Sequence, residues 1–286
     1  MKKLAMLTVK GTVGLIPKAV REKLKSNHKL TELYSRSLQR SGLFYGFPSE
    51  KKRMALYGAY LKQQEVELDS INLSSLDVKH ICVIVFGDKK IQDTVNSLFQ
   101  AGVDAQNIRI ITAQRISHGL ACFSTINTAL ATLSDSARVF FINSGDTVAR
   151  KSLQVLVAGH KNAAIVYCDS DKLGKKNQRV SPFFLPDWNP DLQYSTGYVS
   201  TGVLIHTAVL QSANLLSTTI AGLLAELWIK NRTLSIRHVA YTLVHRNTDT
   251  RVWQAGLKDV RRVVESLTEA TPSYNEELGV NYIQWP

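Results

Sequence analysis

Three aspartates stand at the ends of predicted buried strands, where they could hold a metal ion. Asp146 follows the run "RVFFIN", and Asp169 and Asp171 belong to "YCDSDK". Carboxylates two residues apart can bind a divalent cation that bridges a diphosphate, because hard oxygen ligands suit Mg²⁺ and Mn²⁺ and the metal neutralises the charge of the leaving group. Helix capping and turn formation are the plainer explanation, since Asp and Asn do both routinely. The spacing alone leaves both possibilities open.

A loop rich in aromatic and acidic residues follows, with the sequence "PFFLPDWNPDL" over residues 182–192. Trp188 beside Asp187 is typical of a sugar-binding surface, because the ring covers the apolar face of a sugar while carboxylates accept hydrogen bonds from its hydroxyls. The alternative is a loop fixed to the core by Phe183, Phe184 and Trp188. Both interpretations remain open on the sequence.

Two histidines, His238 and His245, share one strand-like run. A histidine in such a place is more often a hydrogen-bonded structural residue than a ligand or a base. The sequence has no glycine-rich phosphate loop of either common spacing, which disfavours a P-loop ATPase and a dinucleotide dehydrogenase. It also lacks the G-x-S-x-G and H-E-x-x-H motifs, so neither a serine hydrolase nor a zinc protease is indicated.

The elements that must position these residues alternate between strand and helix from residue 79 onward. This alternation predicts an α/β fold with a largely parallel sheet covered by helices on both faces, and a ligand crevice at the carboxyl ends of the strands. The loops after Val85, Ile111, Ile142 and Cys168 are therefore expected to face one crevice. The predicted strands are "HICVIVFG", "NIRIITA", "RVFFIN" and "AAIVYCD", and the predicted helices are "IQDTVNSLFQAG", "HGLACFSTINTALATL" and "VARKSLQVLVAGH".

The second half of this region has a less regular pattern. Residues 174–198, with three prolines and five aromatic residues, predict a long loop without an element of its own. A helical region over about 207–231 and the strand-like run "LSIRHVAYTLVHR" complete the predicted domain.

The basic charge of the protein is concentrated in its N-terminal segment. Residues 1–62 contain fourteen Lys and Arg against three Asp and Glu, whereas the remainder has 21 against 20. Residues 1–75 are predicted to be a helical extension, broken at "SGLFYGFPSEKK". Its charge could serve an anionic membrane surface, a solvated helix face or nucleic acid. We predict the membrane surface and no nucleic acid.

The first residues, "MKKLAMLTVKGTVGLIPKAVREKLK", are similar to a signal peptide, but Lys10 interrupts the apolar run and no small-x-small cleavage site follows. No window reaches 18 uninterrupted apolar residues, so no spanning helix is predicted. Cys82, Cys122 and Cys168 match neither a disulfide framework nor a zinc site. These features predict a cytoplasmic protein that lies peripherally on the inner face of the cytoplasmic membrane.

Residues 79–250 resemble family 2 glycosyltransferases of the GT-A fold, close to the bacterial members that build surface polysaccharides. The most specific match is "YCDSDKLGKKNQRVSPFFLPDWNPDLQYSTGYV", over residues 167–199. The run "IRHVAYTLVHR" is similar to the closing strand of the family, and "LGVNYIQWP" to the stretch that often follows it. The resemblance implies a GT-A-like α/β domain over 76–250, flanked by the extension over 1–75 and a helical tail over 251–286.

The resemblance also implies roles for single residues. The family has Asp-x-Asp-Asp where this chain has residues 143–146, so only the last carboxylate is kept in a degenerate donor and metal motif. It implies that Asn143 and Asp146 bind the donor, and that Asp146 and His245 hold a divalent cation, Mg²⁺ or Mn²⁺. The candidates for the catalytic base are Asp169, Asp171 and Glu226. The acceptor is expected to contact Asp187, Trp188, Asp191 and Tyr198.

The function implied is an inverting transfer of a sugar from a nucleotide-sugar donor to a lipid-linked or polysaccharide acceptor in cell-envelope polysaccharide synthesis. Such a transfer needs a base for the acceptor hydroxyl and a metal or cationic group for the departing diphosphate. The alternative is a GT-A-like binding protein that has lost catalysis and acts as a scaffold for an active transferase. Another nucleotide-sugar or nucleotidyl activity on the same fold is the third possibility, since a fold does not decide a function.

Overall fold

The computed structural model describes residues 15–18, 20, 24, 28–41, 48–71, 73, 76, 78, 80–113, 119–133, 138–159, 163–211, 214–247, 250–277 and 280–286. The chain divides into two compact units, Met1–Ser70 and Ile71–Pro286.

The first unit contains two described helices, α1 (His28–Ser41) and α2 (Glu50–Ser70). The prediction of helices on both sides of the Gly/Pro segment is confirmed. Residues 1–14, on which the comparison with a signal peptide depends, and residues 42–47 lie outside the described part of the chain. None of the helices described is both long and apolar enough to cross a membrane.

The second unit is an α/β domain that ends in a small hairpin. Its strands are β1 (Ile81–Phe86), β2 (Ile108–Ile111), β3 (Ala121–Phe123), β4 (Arg138–Asn143), β5 (Thr147–Val148), β6 (Ile165–Leu173), β7 (Arg179–Phe183), β8 (Val203–His206), β9 (Ile236–His245), β10 (Thr271–Asn275) and β11 (Val280–Gln284). Its helices are α3 (Ile91–Gln100), α4 (Ile126–Leu130), α5 (Ser152–Gly159), α6 (Pro190–Thr196), α7 (Thr207–Gln211), α8 (Ile220–Lys230) and α9 (Thr250–Leu267).

The main sheet has the strand order β3-β2-β1-β4-β8-β6-β9-β5, with β7 also paired to β6. β3, β2, β1 and β4 are mutually parallel, and β6 is parallel to β9. β8 lies between β4 and β6 and is antiparallel to both. The other six strands, β3, β2, β1, β4, β6 and β9, therefore all run in one direction. The predicted α/β fold with a mostly parallel sheet is therefore confirmed. Of its central strands, β1 is buried along its whole length and β4 in all but its first residue, Arg138, as their continuous apolar runs predict.

Two predicted helices begin later than the sequence indicates. Residues 118–133 were expected to be helical, but β3 pairs with β2 at the edge of the sheet and α4 begins only after Thr125. The Thr125 side chain accepts a hydrogen bond from the Thr128 N–H and so sets the start of α4. The helix expected over 148–160 begins at Ser152, because Thr147 and Val148 first pair with β9.

The prediction of a loop over 174–198 is wrong in two places, since this segment contains β7 and α6. Asn189 caps α6 by accepting a hydrogen bond from the Leu192 N–H, and Pro190 occupies its first turn. Both are ordinary signals for a helix start. The region over 207–231 is likewise two helices, and Thr219 caps the second of them, α8.

The C-terminal region is helical only in its first half. α9 packs against α8 and α6 through a cluster that contains Val260, Val263, Val264, Ala221 and Tyr194. After α9, β10 and β11 pair as an antiparallel hairpin. In β11, exposed and partly buried residues alternate, which is the period-two pattern of a strand.

Candidate functional site

A cavity of about 470 Å³ opens at the carboxyl ends of β1, β4 and β9. This is the edge of the sheet where the alternation of strands and helices predicts a ligand crevice. Loops after the three strands contribute most of its polar surface, and β7 and α9 contribute aromatic and apolar side chains. Its lining residues are Phe86, Gly87, Asp88, Lys89, Asn143, Ser144, Asp146, Phe183, Ser200, Thr201, Arg246, Asn247, Val252, Trp253 and Ala255.

A smaller cavity of about 190 Å³ adjoins the first. The two share Phe86, Gly87, Asn143, Ser200, Val252 and Ala255, so together they form one cleft. The smaller part extends to Ile220 and Ala221 at the start of α8 and is mostly apolar in its lining.

Close approach of the loops depends on two glycines with positive φ. A Cβ on Gly87 would lie 2.8 Å from the Ser144 Oγ, and a Cβ on Gly145 would lie 2.6 Å from the Asn247 side chain. Thr94 of α3 fixes the β4 loop, because its hydroxyl donates to the Asp146 carbonyl and accepts from the Gly145 N–H. The loop at 143–146 is thus bonded to α3 and packed closely against the loops after β1 and β9.

Asp146 is buried in this loop, and both of its carboxylate oxygens have protein partners. Oδ1 accepts from the Asn247 N–H at 2.8 Å, and Oδ2 accepts from the Thr201 hydroxyl at 2.8 Å. Burial raises the pKa of Asp146 to about 6, although these hydrogen bonds and the nearby Arg246 charge oppose the shift. Asp146 thus joins the loop after β4, the segment before β8 and the loop after β9.

The predicted metal pair of Asp146 and His245 has other partners in the structure. The His245 Nδ1 lies 2.5 Å from Asp171 Oδ1, and Asp171 Oδ2 accepts from Arg179 Nε at 2.7 Å. In the part of the chain that the structure describes, no group of three or more His, Cys, Asp or Glu side chains could hold a metal ion. Since Asp146 and His245 are both engaged by other groups of the chain, the residues present do not fit the divalent cation that the resemblance implies.

The two residues predicted to bind the donor do line the cavity together. Asn143 ends β4 and donates from Nδ2 to the Ser200 carbonyl at 2.8 Å. Asp146 lies three residues further along the same loop. Their role as donor-binding residues stays a prediction.

Asp169 and Asp171, two of the candidate bases, are buried in β6 and are absent from the described lining of both cavities. Asp169 accepts from the Leu185 N–H and pairs with His238 Nε2, each at 2.8 Å. The His238 Nδ1 is 3.8 Å from the Asp187 carboxylate, and its ring stacks on Tyr167. These contacts tie the segment after β7 to the sheet.

Glu226, the third candidate base, is fully buried in α8. Its carboxylate accepts from the N–H groups of Leu216 and Ser217 and pairs with the Lys230 ammonium at 2.7 Å. Glu226 therefore holds the segment before α8 against that helix. None of these three partners lines the cleft.

The four residues predicted to contact an acceptor divide into two groups. Trp188 and Tyr198 pack into the core, with ring centroids 6.2 Å apart, and Trp188 also contacts Trp228. Asp187 and Asp191 are exposed, and the side chain of Asp187 is 97% accessible. Of the aromatic residues that could fix this loop, Trp188 packs against the core whereas Phe184 is exposed.

Arg246 and Lys89 are cationic cavity residues that the sequence analysis did not single out. The Arg246 guanidinium carbon lies 4.1 Å from the centroid of the Phe183 ring. Burial lowers the pKa of Arg246, while the charges of Asp146 and Asp171 oppose that shift. Its place directly after a buried strand was the available signal in the sequence.

No protein-family model matches the chain. Its sequence is 30% identical to the O-antigen biosynthesis protein RfbC of Myxococcus xanthus over 154 residues, which are 52% of this chain and 12% of that protein. It is 40% identical to an uncharacterised protein of Sinorhizobium fredii over 45 residues, which are 16% of this chain and 5% of that protein. The chain therefore spans only a small part of the length of these relatives.

Similar solved structures include TarS of S. aureus in complex with UDP, with a TM-score of 0.44 and 12% identity over 65% of this chain and 66% of that chain. TarS in complex with UDP-GlcNAc gives a TM-score of 0.44 with 13% identity, over 65% of each chain. A mycobacterial homologue of rv0371c gives a TM-score of 0.36 with 11% identity, over 65% of this chain and 98% of that chain.

Proposed function

We propose that this protein is a glycosyltransferase that binds a nucleotide-sugar donor in the cleft and transfers the sugar, with inversion, to a glycan or lipid-linked acceptor in cell-envelope polysaccharide synthesis. The observation that carries the proposal is the cleft itself, since it lies at the carboxyl ends of β1, β4 and β9 and is lined by Asn143, Asp146, Lys89 and Arg246. The resemblance of residues 167–199 to family 2 glycosyltransferases supports it, as does the 30% identity to an O-antigen biosynthesis protein.

A binding protein without catalysis is the second candidate, and one observation favours it. Asp169, Asp171 and Glu226 are buried and hydrogen-bonded to other parts of the chain, outside the described lining of the cleft. A base must reach the acceptor hydroxyl, directly or through one water. A scaffold that keeps the donor cleft and lacks a base would show donor binding without turnover.

Titration with UDP-, GDP- and dTDP-sugars, followed by an assay for the released nucleoside diphosphate, separates these candidates. We expect at least one donor to bind, and Ser200→Phe to weaken that binding at least tenfold, because Ser200 lines both parts of the cleft. Ser266→Phe, on the exposed side of α9, is the matched control and should bind as the wild type does. If no donor binds, the enzyme proposal is wrong. If nucleoside diphosphate is released in the presence of an acceptor, the proposal of a scaffold without catalysis is wrong.

We further propose that the first unit attaches the protein to an anionic membrane surface at the inner face of the cytoplasmic membrane. On α1, Leu30 and Leu33 are exposed beside the cationic Lys29 and Arg36. Apolar and basic side chains together favour binding to anionic lipid. We expect the full chain, but not a chain lacking residues 1–62, to float with phosphatidylserine vesicles. Equal flotation of both chains would contradict the proposal.

A further inference from the structure

A diphosphate in the cleft needs its charge neutralised, and the residues implied for a metal are occupied otherwise. One carboxylate oxygen of Asp146 accepts a hydrogen bond from the Asn247 N–H, and the other accepts one from the Thr201 hydroxyl. His245 is paired with Asp171, which is itself paired with Arg179. Ligation by Asp146 would therefore compete with the bonds that hold three loops in place.

The cleft does contain a cationic side chain with a restricted position, that of Arg246, which directly follows β9. The backbone N–H of Arg246 donates to the Asp171 carbonyl at 2.7 Å, which fixes the residue just beyond β9. Its guanidinium stacks on Phe183 at 4.1 Å, and this contact restricts the long side chain. Its Nε is buried and has no hydrogen-bond partner among the described residues. A buried donor without a partner is costly to keep, unless a ligand satisfies it.

The chemistry of a guanidinium matches that of a phosphate. Its planar fork can donate two parallel hydrogen bonds to phosphate oxygens and stays charged at any physiological pH. Lys89, an exposed residue that follows β1 and lines the same cavity, adds a second positive charge. Together the charges of Arg246 and Lys89 equal that of one divalent cation, so the two side chains can replace it.

We propose that the cleft binds the diphosphate of its nucleotide ligand without a divalent cation, and that Arg246, assisted by Lys89, supplies the charge. This inference rests on the proposed function and names the group that recognises the donor. Asp146 is then a positioning residue, because its carboxylate joins the loops that carry Thr201 and Asn247 and faces the Arg246 charge.

The test is calorimetric titration of the full chain with UDP, GDP and dTDP, once in EDTA and once in excess Mn²⁺. We expect the Kd of the best nucleotide in EDTA to agree with that in Mn²⁺ within about twofold. Arg246→Gln should weaken binding by about 10- to 100-fold under both conditions, and Arg246→Lys by less, since it keeps the charge without the fork. Arg237→Gln is the matched control, because Arg237 belongs to the same strand, outside the described lining of the cleft.

The possible failures are distinguishable. Binding that appears only with Mn²⁺ would overturn the inference and leave the proposed function standing. Wild-type affinity in Arg246→Gln would also overturn it. Absence of nucleotide binding under both conditions would overturn the proposed function and this inference with it. Thermal melting of each variant keeps a loss of folding apart from a loss of affinity, since Arg246 also contacts Phe183.

Discussion

Glu226→Ala is expected to lower the free energy of unfolding by about 2 to 3 kcal/mol, because it removes a buried charged acceptor from donors that then have no partner for the same bonds. The substitution leaves the N–H groups of Leu216 and Ser217 without this acceptor and removes one of the two acceptors of the Lys230 ammonium, which keeps the Asn214 carbonyl. Burial opposes ionisation of Glu226, but the Lys230 ammonium and the two N–H groups outweigh it and hold the pKa of this carboxyl below its usual value. The carboxylate therefore stabilises the folded chain in its charged form.

Urea unfolding of matched variants measures this effect. Glu226→Gln keeps the side-chain volume and one acceptor oxygen, so its loss should be about half as large. Glu265→Ala, an exposed carboxylate on α9, should change the free energy of unfolding by less than about 0.5 kcal/mol. A Glu226→Ala protein of wild-type stability that has lost sugar transfer would show instead that Glu226 is the base.

Asp146 is expected to make the protein less stable as the pH rises from about 4 to about 6. Its pKa is about 6 in the folded protein, against an ordinary value of 3.8, because burial disfavours its charged form. The folded state then holds the proton more tightly than the unfolded state does. The stabilisation from the protonated form is complete below the unfolded pKa and is lost as the pH rises through the folded pKa.

Asp146→Asn should remove this pH dependence and keep the structure. The amide oxygen can accept from the Asn247 N–H, and the amide N–H can donate to the Thr201 hydroxyl. Between pH 4.5 and pH 7.5, the free energy of unfolding of the wild type should fall by about 2 kcal/mol more than that of the variant. Asp104→Asn, at an exposed position, is the control and should follow the wild type. Parallel curves for Asp146→Asn and the wild type would contradict the prediction.

Much of the α/β unit was predictable because its signals are local. The apolar runs of β1 and β4 are long enough for buried strands and too short for helices, and both are strands. The sheet that follows from such alternation places Asn143 and Asp146 at one cleft. The prediction was wrong at β3, a segment of three residues that is too short to show a strand pattern of its own. Its pairing with β2 decided its conformation.

The candidate site was less predictable than the fold, because its polar side chains form hydrogen bonds and ion pairs with residues that are distant in the chain. Asp171 pairs with Arg179, eight residues away, and with His245, 74 residues away. Asp146 accepts from Asn247 across 101 residues. Nothing in the spacing of these aspartates distinguishes a carboxylate with free oxygens from one whose oxygens are already bonded.

The sequence by itself determined the strand and helix alternation and the edge of the sheet at which a cleft forms. These depend on the periodicity of apolar residues. Only the tertiary structure decided that Asp146 joins loops and that Arg246 faces the cleft, stacked on Phe183. The physical reason is that β7 and β9 both pair with β6. This pairing sets how deeply each charged side chain is buried and which hydrogen-bond partners it has.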